Sequence, residues 1–233
     1  MKQHKLFIHP VLRLMVLMGF ITLSSSLTAQ NVSGNSSISG NVKLPKLDKG
    51  ISKGNNYNNS TDVMHSNDPM AAPDRNVIVS LHPLDRDMTV WPLKDAYITQ
   101  KEQTFIPHVL PITPGTKVFF LNEDQFFHNV YSATPRSRFN IGRRAPGNAY
   151  GQIIKKPGII SLNCDIHAHM KGFVLCLNTN FFTRIDAYGN YNLDNIPSGK
   201  YRLECFHAEF GNKTMTIVVT EKANLIQNID LSR

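Results

Sequence analysis

Several things are scarce in this sequence, and each scarcity closes off a class of protein. The N-terminal apolar run, Leu14 to Leu23, is too short to span a bilayer, and no later segment is apolar enough to cross one. From about Trp91 to Asn178 there is no helical period, only short apolar runs separated by turn residues. Nowhere do aromatic residues interleave with a basic run, and no nucleic-acid motif occurs, so nucleic acid is not an expected partner. Cysteine is limited to three residues, an odd number, so at least one thiol stands outside any intramolecular disulfide.

What charge there is leans one way. The net charge of +8 suggests an acidic partner or surface without identifying one. Lys and Arg concentrate only at Arg136, Arg138, Arg143 and Arg144, then Lys155 and Lys156. Solvated loop charges are the simplest account of them. Residues 1–29 read as a signal peptide: Lys2, Lys5 and Arg13 precede or enter the apolar run, and small residues follow it around Leu27-Thr28-Ala29. With no cysteine there to carry a lipid anchor, the product is expected to be soluble and exported, either periplasmic or secreted. The rest of the chain suffices for one large or two small β domains.

In chain order, Ile38 to Leu44 is a short strand candidate. Residues 45–74 are polar and poor in aromatics, cannot bury enough apolar surface to order themselves, and are expected to form a flexible loop. Asn76 to His82 alternates Val77, Val79 and Leu81 on one face, as a half-buried strand does. Ala96 to Thr99, Thr104 to Leu110 and, after a Pro114-Gly115 turn, Thr116 to Asn122 follow. Phe126 to Tyr131 reads as a further strand with Phe126, His128 and Val130 on one face. A polar excursion from Ser132 to Gly151 then precedes two strands, Ile159 to Asn163 and Gly172 to Leu177, that flank a tight loop. Beyond Asn180, five more candidates run from Phe181 to Leu231. The expectation is an all-β protein of sandwich or barrel type. The last set is small for a domain without staple or metal, so it should pack on the preceding one or borrow strands from elsewhere.

The chemistry concentrates in the tight loop. Strand side chains alternate, so Ile160, Leu162 and Cys164 share a face and the thiol leaves the strand pointing inward. His167 and Met170 follow at once. A thiolate, an imidazole and a thioether within seven residues form a soft ligand set, and His128 in Asp124-Gln-Phe-Phe-His-Asn-Val is the candidate second imidazole. Two His, one Cys and a weak axial Met suit copper in an electron-transfer site. Zinc is the main rival, but it does not recruit thioethers and a structural site would be expected to have four N, S or O ligands. If Cys164 binds metal, Cys176 and Cys205 remain, either as a disulfide or as buried thiols that pack like small apolar residues. His169 stands directly before Met170; it either competes for the metal or faces solvent.

Residues 93–178 resemble the cupredoxins, most closely the amicyanin and plastocyanin type and the exported methylamine-utilisation proteins. The resemblance rests on Phe105-Ile106-Pro107, Pro114-Gly115-Thr116, the strand ending at Asn122, His128-Asn129-Val130 and the Cys164-x2-His167-x2-Met170 loop. It implies a Greek-key sandwich holding one type 1 (blue) copper ion through His128, Cys164, His167 and Met170, with Asn129 bracing the ligand loops. Residues 179–233 resemble the smaller carboxypeptidase-regulatory or transthyretin-like sandwich, through Asp186-x-x-Gly-x-Tyr191 and Ile196-Pro-x-Gly-x-Tyr201. In that family two strands come before these motifs. The segments 38–44 and 76–82 of the N-terminal region 30–92 resemble them, which implies that the copper domain is inserted into this sandwich.

The resemblance implies a periplasmic carrier of single electrons between a donor and an acceptor redox protein, with His167 near the surface as the electron's exit. No substrate chemistry is expected, because copper oxidases and nitrite reductases need repeated His-x-His pairs and His167-Ala168-His169 is the only one here. A second reading stays open: a non-redox copper carrier, or a cell-envelope interaction module whose cupredoxin domain is structural.

Overall fold

A computed structural model describes residues 35–45 and 76–232. The signal peptide expected over 1–29 lies outside the described residues, as does all but Pro45 of the loop expected over 45–74. The described chain is all-β, as expected, and its strands form four sheets.

In the first sheet β1 (Ser36–Lys43) pairs with β13 (Asn190–Ile196), β16 (Asn224–Ile226) and β17 (Ile229–Asp230). The second runs β12 (Phe182–Arg184), β2 (Val77–Pro83), β14 (Gly199–His207), β15 (Gly211–Val219). The third runs β5 (Val109–Ile112), β11 (Lys171–Cys176), β10 (Gly158–Asn163), β7 (Tyr131–Ser132), β8 (Phe139–Asn140). The fourth runs β4 (Thr104–Ile106), β3 (Ala96–Lys101), β6 (Lys117–Asn122), β9 (Ala149–Ile153). Thus β1 and β2 are completed by strands that lie beyond residue 180, and β3 to β11 stand between them in sequence with two sheets of their own.

Alternation decides what each face covers. In β14, Tyr201, Leu203 and Cys205 are buried while Lys200 and Arg202 are exposed. The first two sheets close on a core that includes Ile38, Val79, Leu193, Tyr201 and Leu203. The third and fourth close on another, which includes Ile98, Phe120, Ile160, Leu162 and Val174. A third apolar cluster joins the two sandwiches: Ile78, Phe182 and Phe206 from the second sheet meet Val109, Phe173, Leu175 and Leu177 from the third-sheet side. β11 is therefore apolar on both faces, with Val174 and Cys176 in one core and Phe173 and Leu175 in the junction, as a strand covered on both sides must be. The Arg184 guanidinium donates to Val109 O across this junction at 2.6 Å.

Three segments differ from the sequence expectation. Thr104 to Leu110 is split into β4 and β5, because Pro107 has no N–H to give a ladder. Phe126 to Tyr131 is not a strand: only Tyr131 belongs to one, and His128 makes an isolated bridge to Arg144. Phe126 is exposed rather than on a buried face, because the backbone here bonds to Asn122 and Arg144 instead of a neighbouring strand. The polar excursion from Ser132 to Gly151 contains β8 and the start of β9.

Candidate metal centre

The site is assembled where β6 and β10 end. After Asn122 the chain leaves the sheet, and the buried Asn122 side chain directs it: Nδ2 donates to Phe126 O (2.8 Å) and Arg144 O (3.0 Å), and Oδ1 accepts from Asp124 N (3.1 Å). His128 N then donates to Arg144 O at 3.1 Å, and Arg144 N donates back to His128 O at 2.6 Å. These bonds hold the His128 backbone against a second loop. Cys164 follows β10 immediately and is buried with Ile160 and Leu162 in one core, as the strand alternation requires. The loop from Cys164 closes by a Met170 N to His167 O bond of 3.0 Å. Met170 is buried in the same core as Cys164. Gly172 lets the next strand close down, since a Cβ there would lie 3.1 Å from Phe105 Cβ and 3.2 Å from His108 O.

His128, Cys164 and His167 converge. The two Nδ1 atoms are 3.2 Å apart, and each is 3.9 Å from Cys164 Sγ. A triangle of those sides has a centre about 2.1 Å from every corner, within the roughly 2.0–2.3 Å over which nitrogen and sulfur bind a first-row metal. The described residues thus form a triangular donor set of two nitrogens and one sulfur, with room for one ion at its centre. Met170 ends the same short loop and is 1% exposed, buried beside Cys164 in that core. His169 is exposed, its ring centroid 6.0 Å from that of His167, and it does not join the donor group.

Electrostatics point the same way. His128 is fully buried, and its Nε2 lies 2.6 Å from Asp124 Oδ2. The carboxylate accepts the Nε2 proton, which leaves the Nδ1 lone pair facing the centre. Asp124 is itself fixed, accepting from Glu102 N at 2.7 Å and Gln103 N at 3.0 Å. Two imidazole lone pairs facing each other at 3.2 Å repel unless a proton or a cation lies between them. Burial first, and then the proximity of the His128 and His169 rings, hold the His167 pKa below its ordinary value. That favours the neutral imidazole a metal needs. Phe126 packs against both rings, at centroid distances of 5.1 and 5.4 Å. Phe126 is itself exposed, as is Ile166, the residue before His167.

Neither Asp124 nor the bracing role of Asn122 stands out in the sequence. The one available signal is the four-residue interval from Asp124 to His128, and nothing sets Asp124 apart from Glu123. Asn129, expected to brace the loops, is buried with its Oδ1 lacking any hydrogen-bond partner among the described residues. Asn122 and Asp124 make the side-chain bonds to the His128 loop described above. The remaining thiols are free and sit in different cores, Cys176 with the site sandwich and Cys205 with the other.

No family model and no curated protein sequence matches the chain. Among solved structures it is similar to a copper-containing nitrite reductase from Thermus scotoductus SA-01, at 25% identity over 41% of this chain and 25% of the reductase, with a TM-score of 0.35. It is also similar to a purple cupredoxin from Nitrosopumilus maritimus, at 23% identity over 36% of this chain and all of that one, with a TM-score of 0.33. Amicyanin from Paracoccus versutus is similar at 19% identity over 37% of this chain and 85% of its own, with a TM-score of 0.34.

Proposed function

We propose that residues 93–178 form a copper domain in which His128, Cys164, His167 and Met170 hold a single type 1 ion, and that the protein carries single electrons between two redox proteins in the periplasm or outside the cell. The observation that carries this reading is the donor triangle, buried at two corners and part-buried at His167, with its His128 corner locked by Asp124. When bound, copper supplies a one-electron couple. The chain's part is to keep the donors still. Asn122 and Asp124 fix the loop that bears His128, the Met170 to His167 bond fixes the ligand loop, and the core beneath Cys164 keeps water from the sulfur. A donor set that does not move between oxidation states suits transfer rather than substrate turnover. His167 is the corner nearest solvent, and the exposed Phe126 ring against it, with Ile166 next in the chain, suits a transient, desolvated contact with a redox partner.

The strands on either side of this domain build a scaffold of the carboxypeptidase-regulatory type, into which the copper domain is inserted. The test is redox cycling of the copper-loaded protein, with chemical reduction and reoxidation followed by gel filtration. An electron carrier keeps its copper through repeated cycles. Release of the ion on reduction would overturn the proposal in favour of a copper carrier.

A further inference from the structure

The strongest charge asymmetry in the chain lies on the flank of the site sandwich. Between Asp124 and Asp165 the sequence has no acidic residue, yet it carries Arg136, Arg138, Arg143, Arg144, Lys155 and Lys156. Two of these are engaged. Arg143 pairs with Asp165 at 3.5 Å, and Arg144 lies over the Tyr150 ring at 4.6 Å and donates to Ile141 O. The others are exposed. Arg136, Arg138 and Lys155 converge on one groove of about 180 Å³, whose lining includes Phe139, Gln152 and Ile153 and no acidic residue. The groove runs between β8 and β9, which are the terminal strands of the third and fourth sheets.

We infer that this groove docks an acidic protein segment: Asp or Glu side chains meet Arg136, Arg138 and Lys155 while its backbone lies along the unpaired edge of β8 or β9. The argument is charge complementarity joined to shape. A cavity of that size is below the roughly 300–1,000 Å³ of sites that enclose a small ligand, so it suits side chains projected by a larger partner. Two sheet edges side by side offer the backbone groups that an extended segment needs, and pockets beside them select its side chains. Cations around a mixed polar and apolar lining exclude basic partners and offset the desolvation of acidic ones through paired hydrogen bonds. A single-stranded nucleic acid would need open aromatic faces on which bases stack, and the aromatic ring in this lining, Phe139, is half-buried and stacks on Phe120. Membrane insertion would need a cluster of protruding apolar residues, whereas this lining offers one, Ile153, with Phe139 half-buried and Ile154 buried.

The inference does not depend on copper, and its test is run on the metal-free protein. A fluorescein-labelled oligoglutamate peptide is titrated by anisotropy against the wild type and two triple variants. One removes the groove cations (Arg136→Ser, Arg138→Ser, Lys155→Ser). The other removes three exposed lysines elsewhere (Lys94→Ser, Lys200→Ser, Lys222→Ser). All six positions are exposed, so neither set removes core packing. The groove variant should bind about tenfold or more weakly, and the control variant should stay within about threefold of wild type. Equal weakening in both variants would overturn the inference, because binding would then follow net charge alone. Tighter, groove-dependent binding of an oligothymidylate of the same charge would overturn it in favour of a nucleic acid. Groove-dependent preference for phosphatidylglycerol vesicles would do so in favour of a membrane.

Discussion

The two sandwiches contain the same reactive residue types and put them to opposite uses. In the one formed by the first and second sheets, Cys205 sits in mid-strand among Tyr201, Leu203 and Val79, and burial, with the Glu204 charge second, pushes its thiol up to about 12. His207 Nδ1 accepts from Glu209 N and Phe210 N in the turn that follows, and its ring stacks on Phe210 at 4.3 Å. Burial, and then the Arg202 charge, lowers His82 to about 4. Each group is absorbed by its own strand or turn. In the other sandwich, Cys164, His128 and His167 sit just past strand ends, where the backbone leaves the ladder and side chains from distant segments can meet. Cys176, twelve positions beyond Cys164 and still paired as the last residue of β11, is pushed up to about 12 by burial like Cys205. Departure from the ladder, not residue type, separates the donor triangle from the thiols and imidazoles held within strands.

The largest expected effect falls on the junction, which should matter to stability and not to metal. Phe206→Ala removes a buried ring shared by both sandwiches and should cost about 3–5 kcal/mol in denaturant unfolding. Copper affinity of the folded fraction should stay unchanged. A large loss of affinity at full folding would show that the site depends on the junction.

Next comes the brace. Asp124→Asn keeps the shape but removes the charge that orients His128, and metal affinity measured by competition with a chelator should fall about 10–100-fold. An unchanged affinity would mean that the hydrogen bond to His128 does not position it.

A smaller effect is expected from His82, because solvent at its part-exposed ring screens the shift. Its folded pKa near 4 lies below the ordinary value of 6.5, so the unfolded chain takes up the proton first. The contribution is therefore complete above pH 6.5 and is lost as pH falls toward 4. Glu204 lies 3.8 Å from His82 but is also 3.6 Å from Arg202, which offsets its pull on a proton. Metal-free His82→Gln should show a shallower fall in stability than wild type across that window; parallel curves would remove His82 from the account.

Smallest is Cys205→Ser, which buries a hydroxyl in an apolar core at about 1–2 kcal/mol. It should leave copper binding intact.

Much of this is legible in the sequence because strand alternation is local. Ile160, Leu162 and Cys164 share a face on any strand, and the short loop to Met170 leaves the ligand types little choice of place. The turn motifs are equally readable: in Asp186 to Tyr191, Gly189 takes φ +81 while Asp186 Oδ1 accepts from Tyr188 N and Asn190 N at 2.8 Å each. What the sequence hides is long-range. Asp124 gains its role only when the turn at Glu102 and Gln103 arrives from another strand to hold it. The irregular run 126–130 reads as a strand because its apolar spacing alternates, whereas its backbone partners lie in the loop around Arg144. The double-faced burial of β11 can be seen as apolar richness, but not what covers the second face.

The most direct test of the central claim is a Cu(II) titration of the purified protein beside Cys164→Ser, followed by visible absorption. A strong thiolate-to-copper band that saturates at one ion per chain, absent from Cys164→Ser and retained in Cys205→Ser, is the expected result. A band of equal strength in Cys164→Ser, or none in the wild type with copper bound, would contradict the assignment of Cys164 and its two histidines as the metal centre.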